Sequence, residues 1–209
     1  MAVCGCVFSL PVNRRAARAS RGYGRRMGVR SGRYRLGPDN ARLVVRTGHE
    51  GFGSKAGHDL TIEVTEWSGQ MDVPGTAAAA TISAHFELGS MVVREGVGGA
   101  KPLTELDRGE IERNARRVLG VADHPTATFE SSQVVVADSG GTIRGTVALG
   151  GVTTPVEVRV QRVAPDRYRG KAMVTQSALG VKPYSAFLGA LKVRDDVEVQ
   201  IDIDLAHAA

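Results

Sequence analysis

Cysteine is almost absent: the 209 residues contain only Cys4 and Cys6. One intervening residue cannot span an unstrained disulfide, and no further ligand stands beside them for zinc. A disulfide framework is therefore excluded for the rest of the chain, and redox compartment cannot be read from it. No run approaches the roughly 18–20 apolar residues of a membrane-spanning helix. Acid is missing from the N-terminus, where residues 1–35 hold nine arginines (Arg14, Arg15, Arg18, Arg21, Arg25, Arg26, Arg30, Arg33, Arg35) before the first acid, Asp39. The net charge of +5 belongs to that segment, and the remainder is mildly acidic. A nucleic-acid partner is not expected, because it would need a basic face on the domain itself. Nor does the apolar stretch Val3–Val12 read as a secretory signal, since it precedes the arginines instead of following them. The expectation is a cytoplasmic protein with a disordered Arg-rich extension over 1–33 and one domain over 34–206; translation from Met27 is an equal alternative. Aromatics are also scarce, at 5%, while glycine is abundant, at 26 residues.

What is present is alternation. Leu43 and Val45 share one face of a segment from Ala41 to Thr47. Leu60, Ile62 and Val64 alternate with Thr61, Glu63 and Thr65; an extra residue at Glu66 shifts the phase to Trp67, Gly69, Met71 and Val73, as a β-bulge would. Ile82, Ala84, Phe86 and Leu88 follow. Ile143, Gly145, Val147 and Leu149 form a further face, then Val156, Val158 and Val160, then Tyr168, Gly170, Ala172 and Val174. Val197 to Leu205 closes the chain in strict period two. Such segments are half-buried antiparallel strands. The pairs Gly140-Gly141 and Pro165-Asp166 mark turns. One helix is predicted over 107–119, with Asp107 to Glu110 as capping box, Leu106 and Ile111 as hydrophobic staple, and Ile111, Ala115, Val118 and Leu119 on one face. A second short helix is predicted over 185–191. About eight strands in up-and-down order predict an antiparallel barrel, since an open sheet would leave adhesive edges. Lined by Ala, Gly and Val, it should be hollow.

These residues resemble the YceI-like family of polyisoprenoid-binding, lipocalin-like barrels. The likeness rests on Gly145-Thr-Val-Ala-Leu-Gly-Gly-Val-Thr-Thr-Pro-Val-Glu-Val158, similar to the family's strand, bend and Gly-Val-Thr-x-Pro-Val. It rests also on His124-Pro-Thr-Ala-Thr-Phe-Glu-Ser131 and on Tyr34, Leu36, Pro38 and His49. Asn40-Ala41 departs from the family's usual His-Ser, Gly150 from a polar residue, and the Gly-rich stretch 48–60 from its usual composition. The polar contacts at the barrel mouth are accordingly expected to differ.

The resemblance implies binding of a long isoprenoid lipid, a polyprenyl or quinone tail, without cofactor, metal or catalytic group. Ten-residue strands rising about 3.3 Å per residue give a tunnel on the order of 30 Å, and each buried methylene contributes about 0.8 kcal/mol. The lining candidates are Phe52, His58, Leu60, Ile62, Trp67, Phe86, Phe129, Val147, Leu149 and Val174, of which the four aromatics serve equally well as ordinary core. A homodimer is compatible with this reading. Two rivals stand beside it. One is a metal- or His/Asp-dependent enzyme drawing on His49, His58 with Asp59, His85 and His124, whose spacings match no ligand motif. The other is an interaction or stress module with a filled core.

Overall fold

Residues 29–51 and 57–208 are described by the computed structural model of the chain. The expected extension over 1–33 lies mostly outside these residues, although Val29 packs on the core and the first strand already takes up Gly32 and Arg33.

Each alternating segment forms a strand, except that the expected end residues Leu88 and Leu205 fall in 3₁₀ turns. The strands are β1 (Gly32–Leu36), β2 (Ala41–Thr47), β3 (His49–Glu50), β4 (His58–Val64), β5 (Trp67–Val73), β6 (Thr81–Glu87) and β7 (Met91–Gly98), followed by helix α1 (Glu105–Val118). After it come β8 (Thr126–Ala137), β9 (Gly140–Leu149), β10 (Val152–Ala164), β11 (Arg167–Thr175), β12 (Ser185–Ala186), β13 (Leu191–Val193) and β14 (Asp196–Asp204). All pairings are antiparallel, in one eleven-stranded sheet of order β1-β5-β6-β8-β9-β10-β11-β14-β2-β4-β7 and a small sheet of β12, β13 and β3.

The simple barrel of about eight up-and-down strands is therefore corrected to a curled eleven-stranded sheet. The cause is bending. Three continuous segments, β1–β2, β4–β5 and β6–β7, each break at a corner, and their two halves serve different parts of the sheet. At the first corner Asn40 accepts from Gly37 N–H at 3.1 Å and donates to the Arg35 carbonyl at 2.8 Å. At the second, Thr65 Oγ1 donates to the Ser90 carbonyl at 2.8 Å, Ser90 Oγ accepts from Glu66 N–H at 2.9 Å, and Glu87 N–H donates to the Glu66 carbonyl at 3.0 Å. Glu66 is thus the corner between β4 and β5, not a bulge inside a paired strand. Because β4 and β5 sit toward opposite ends of the sheet order yet are joined by two residues, the sheet has to curl back on itself.

Three further expectations are corrected. Gly140-Gly141 lie inside β9; the tight turn with two left-handed residues is Gly150-Gly151, at φ 57° and 81°, between β9 and β10. That geometry suits a two-residue hairpin and favours glycine at both positions. The segment 185–191 forms β12, a 3₁₀ turn and the start of β13, not a helix. Finally, α1 starts two residues early. Thr104 is its N-cap, in a reciprocal capping box with Asp107. Both Thr104 and Asp107 carry an acid three residues on, so spacing alone does not choose between them. Packing does: Leu103 joins the core, whereas Leu106 is 86% exposed, so the staple expected there does not form. Ile111, Ala115, Val118 and Leu119 pack on the core as their shared face requires. Thr104→Ala is expected to cost about 1 kcal/mol in urea unfolding through loss of the cap, while Leu106→Ala leaves the midpoint unchanged.

Candidate ligand-binding interior

Period two carries one set of side chains on each strand to the concave face, and cross-strand register assembles them into rows. Trp67 stands opposite Phe86, Phe86 opposite Ala127, and Ala127 opposite Leu149. The next row joins Gly69, Ala84, Phe129, Val147 and Thr154. Elsewhere Val174 faces Val197, and Ile62 lies between Val45 and Val93. Large residues stand next to small ones: the Phe129 ring lies against Gly145, where a Cβ would come within 2.7 Å of the ring edge. The rings of Trp67 and Phe86 meet at 6.2 Å and 39°.

Nine of the ten lining candidates lie on this face, eight of them within its apolar clusters. Ile62, Trp67, Leu149 and Phe129 are buried, while Leu60, Phe86, Val147 and Val174 are half-buried against the same clusters. Phe52 lies outside the described residues. His58 is on the face of Leu60 and Ile62, with Nε2 2.9 Å from the Lys101 carbonyl.

His58 and Asp59 do not act as a pair. Adjacent strand residues point to opposite faces, and Asp59 instead meets His49, whose Nδ1 is 2.8 Å from Oδ1 and whose backbone N–H donates to it at 3.1 Å. His85 is exposed on β6, and His124 is exposed in the loop between α1 and β8. The four histidines therefore do not converge, and no group of three or more His, Cys, Asp or Glu side chains suited to a metal is found among the described residues.

The packing of this face is loose. No large side chain among the described residues is less than 2% exposed, and inward residues on central strands, such as Val158, Val160, Ile201 and Ile203, remain half-buried. A close-packed interior of this size would bury several aliphatic side chains completely. The concave face therefore keeps apolar side chains partly accessible.

A polar residue escaped the sequence reading. The inward stripe Val156, Val158, Val160 continues at the next alternate position to Arg162, which is half-buried opposite Tyr168. Burial pushes the Tyr168 phenol above its ordinary value, while the Arg162 charge acts the other way. Extending the alternation by one step locates the residue in the sequence; its surroundings are not readable there. No helix among the described residues is long and apolar enough to cross a membrane.

A model of the YceI-like domain matches residues 34–205. Among solved structures, the crystal structure of Burkholderia cenocepacia BcnA is similar at 15% identity and TM-score 0.58, covering 78% of this chain and 94% of that one. A mutant of the YceI protein of Campylobacter jejuni, crystallised for nanotechnology applications, is similar at 12% identity and TM-score 0.50, covering 68% and 81%. At such identities the likeness is one of fold. No curated protein matches the chain.

Proposed function

Given that this chain belongs to the YceI-like family, we propose that its curled sheet binds a long apolar lipid of the isoprenoid type, a polyprenyl or quinone tail, along the concave face. The observation that carries this reading is an inward face that is apolar yet incompletely buried, even on strands in the middle of the sheet. Apolar surface left facing water in this way is unfavourable by roughly 25 cal/mol per Å², and a flexible hydrocarbon chain removes it without any specific polar contact. Small residues such as Gly145 and Gly170 let larger neighbours, Phe129 at the first and Ile201 and Val158 at the second, lie close against the sheet. Binding is preferred to catalysis, since the four histidines do not converge on this face.

Protein purified from its own host without detergent is expected to carry a prenyl-chain compound. Native mass spectrometry should show the added mass, and organic extraction should release it. A fully folded protein that emerges empty, and that fails to take up farnesol or a longer polyprenol, would count against the reading.

A further inference from the structure

The most exposed aliphatic side chains among the described residues, Leu188, Leu106 and Val97, stand toward one end of the sheet. Val97 on β7 is the register partner of Asp59 on β4, whose carboxylate holds His49 of β3. Strand β3 pairs with β13, and Leu188 lies in the turn between β12 and β13. Leu106 follows Leu103, which packs over Gly96 of β7. A single exposed aliphatic is ordinary, so the surroundings decide. Leu106 stands between Glu105 and Asp107 in the first turn of α1, where acids suit the helix start. Leu188 has no such neighbours.

Leu188 is fully exposed and adopts φ 55°, ψ 34°, a left-handed conformation that a leucine seldom takes. Glycine or asparagine would serve such a turn more easily. The leucine thus gains neither burial nor conformational ease from the fold. The hairpin that presents it is nonetheless well anchored. Ser185 pairs with Lys192 and Ala186 with Leu191, Val193 N–H donates to the Tyr184 carbonyl at 2.9 Å, and the Ala190 carbonyl packs so closely on Gly51 that a Cβ there would collide. From Val181 to Arg194 the chain carries Lys182, Lys192 and Arg194 and no acid. Lys192 pairs with Glu50 at 3.4 Å, while Lys182 and Arg194 make no ion pair among the described residues. The acids that follow, Asp195 and Asp196, are engaged by Ser177 and Thr175. An apolar tip on a cationic stem complements an anionic lipid surface: the aliphatic group passes the head groups, and the long cationic side chains stay among the phosphates.

We propose that the β12–β13 hairpin is a membrane-docking tip, with Leu188 entering the acyl region of an anionic lipid surface and Lys182 and Arg194 remaining at its phosphates. This inference concerns the outside of the molecule and does not depend on what the concave face holds.

The test is flotation of the full chain with vesicles of phosphatidylcholine containing about one-third phosphatidylglycerol, an anionic surface of the kind that attracts basic segments. Wild-type protein is expected to float with them. Leu188→Gly keeps a residue suited to the left-handed turn and removes the side chain, so partitioning should fall at least fivefold while the melting temperature equals or exceeds that of wild type. Leu188→Asn, also suited to that conformation, should behave alike. Lys182→Gln should lower partitioning about fivefold, an effect that disappears on phosphatidylcholine alone. Met173→Gln, at an exposed apolar position on the outer face of β11, should change nothing. The arginines before β1 attract anionic lipid as well, but they are identical in every variant. If Leu188→Gly and Leu188→Asn float like wild type, those arginines suffice and the proposal is overturned. It is overturned equally if wild-type protein does not float, or if Met173→Gln loses as much as Leu188→Gly. A dimer in sedimentation velocity that Leu188→Gly dissolves would assign the tip to a second copy of the chain and overturn the lipid surface.

Discussion

Gly145→Val is expected to destabilise the domain by about 3 kcal/mol or more, toward the upper end for overpacking substitutions. Gly145 is buried on β9, paired with Ser131 on β8 and with Val156 on β10. A Cβ there would collide with the Glu130 carbonyl of the neighbouring strand and meet the Phe129 ring at 2.7 and 2.8 Å. The ring could swing into the interior, but the carbonyl belongs to the sheet and cannot move without breaking the β8–β9 ladder. Urea denaturation with circular dichroism measures the change. Phe129→Ala in the same background removes the ring clash and leaves the backbone clash, so most of the loss should persist. A Gly145→Val protein as stable as wild type would show that β8 and β9 are not registered in this way.

Val147→Trp is expected to do the opposite: keep the fold and lose the ligand. Val147 is half-buried, opposite Phe129 on one side and Thr154 on the other, and it touches both core clusters. In a close-packed core the added volume costs about 1–3 kcal/mol. Where the concave face borders open space, the indole extends into it and takes the place of the lipid. Farnesol affinity should fall at least tenfold, with a melting temperature within a few degrees of wild type. Thr146→Trp, one residue away on the exposed face, is expected to leave both unchanged. A Val147→Trp protein that unfolds, or that binds farnesol normally, contradicts the accessible interior.

Extraction, stability and binding respond differently in these variants because lining and scaffold are interleaved along the same strands. Each inward residue alternates with an outward one that is often charged. The outward network, for example Lys171 with Glu198 at 3.0 Å and Arg94 with Glu63 at 2.6 Å, is partly exposed to solvent and contributes modestly to stability. The inward set decides what can be held.

The inward and outward assignment was legible in the amino-acid sequence, because side-chain alternation is a property of each strand taken alone. Ile143, Gly145, Val147 and Leu149 share a face whatever pairs with them, and Ile111, Ala115, Val118 and Leu119 share a helical face for the same local reason. Hairpin neighbours such as β9 and β10 were equally accessible, since their partners are a short turn apart. The strand count, the start of α1 and the partner of Asp59 were not. Each of these depends on residues brought together from distant positions: β14 against β2, Ser90 against Thr65 and Glu66 at the corner, His49 against Asp59, and Leu103 in the core. Local periodicity says which way a side chain points. Only the folded sheet decides what it finds there.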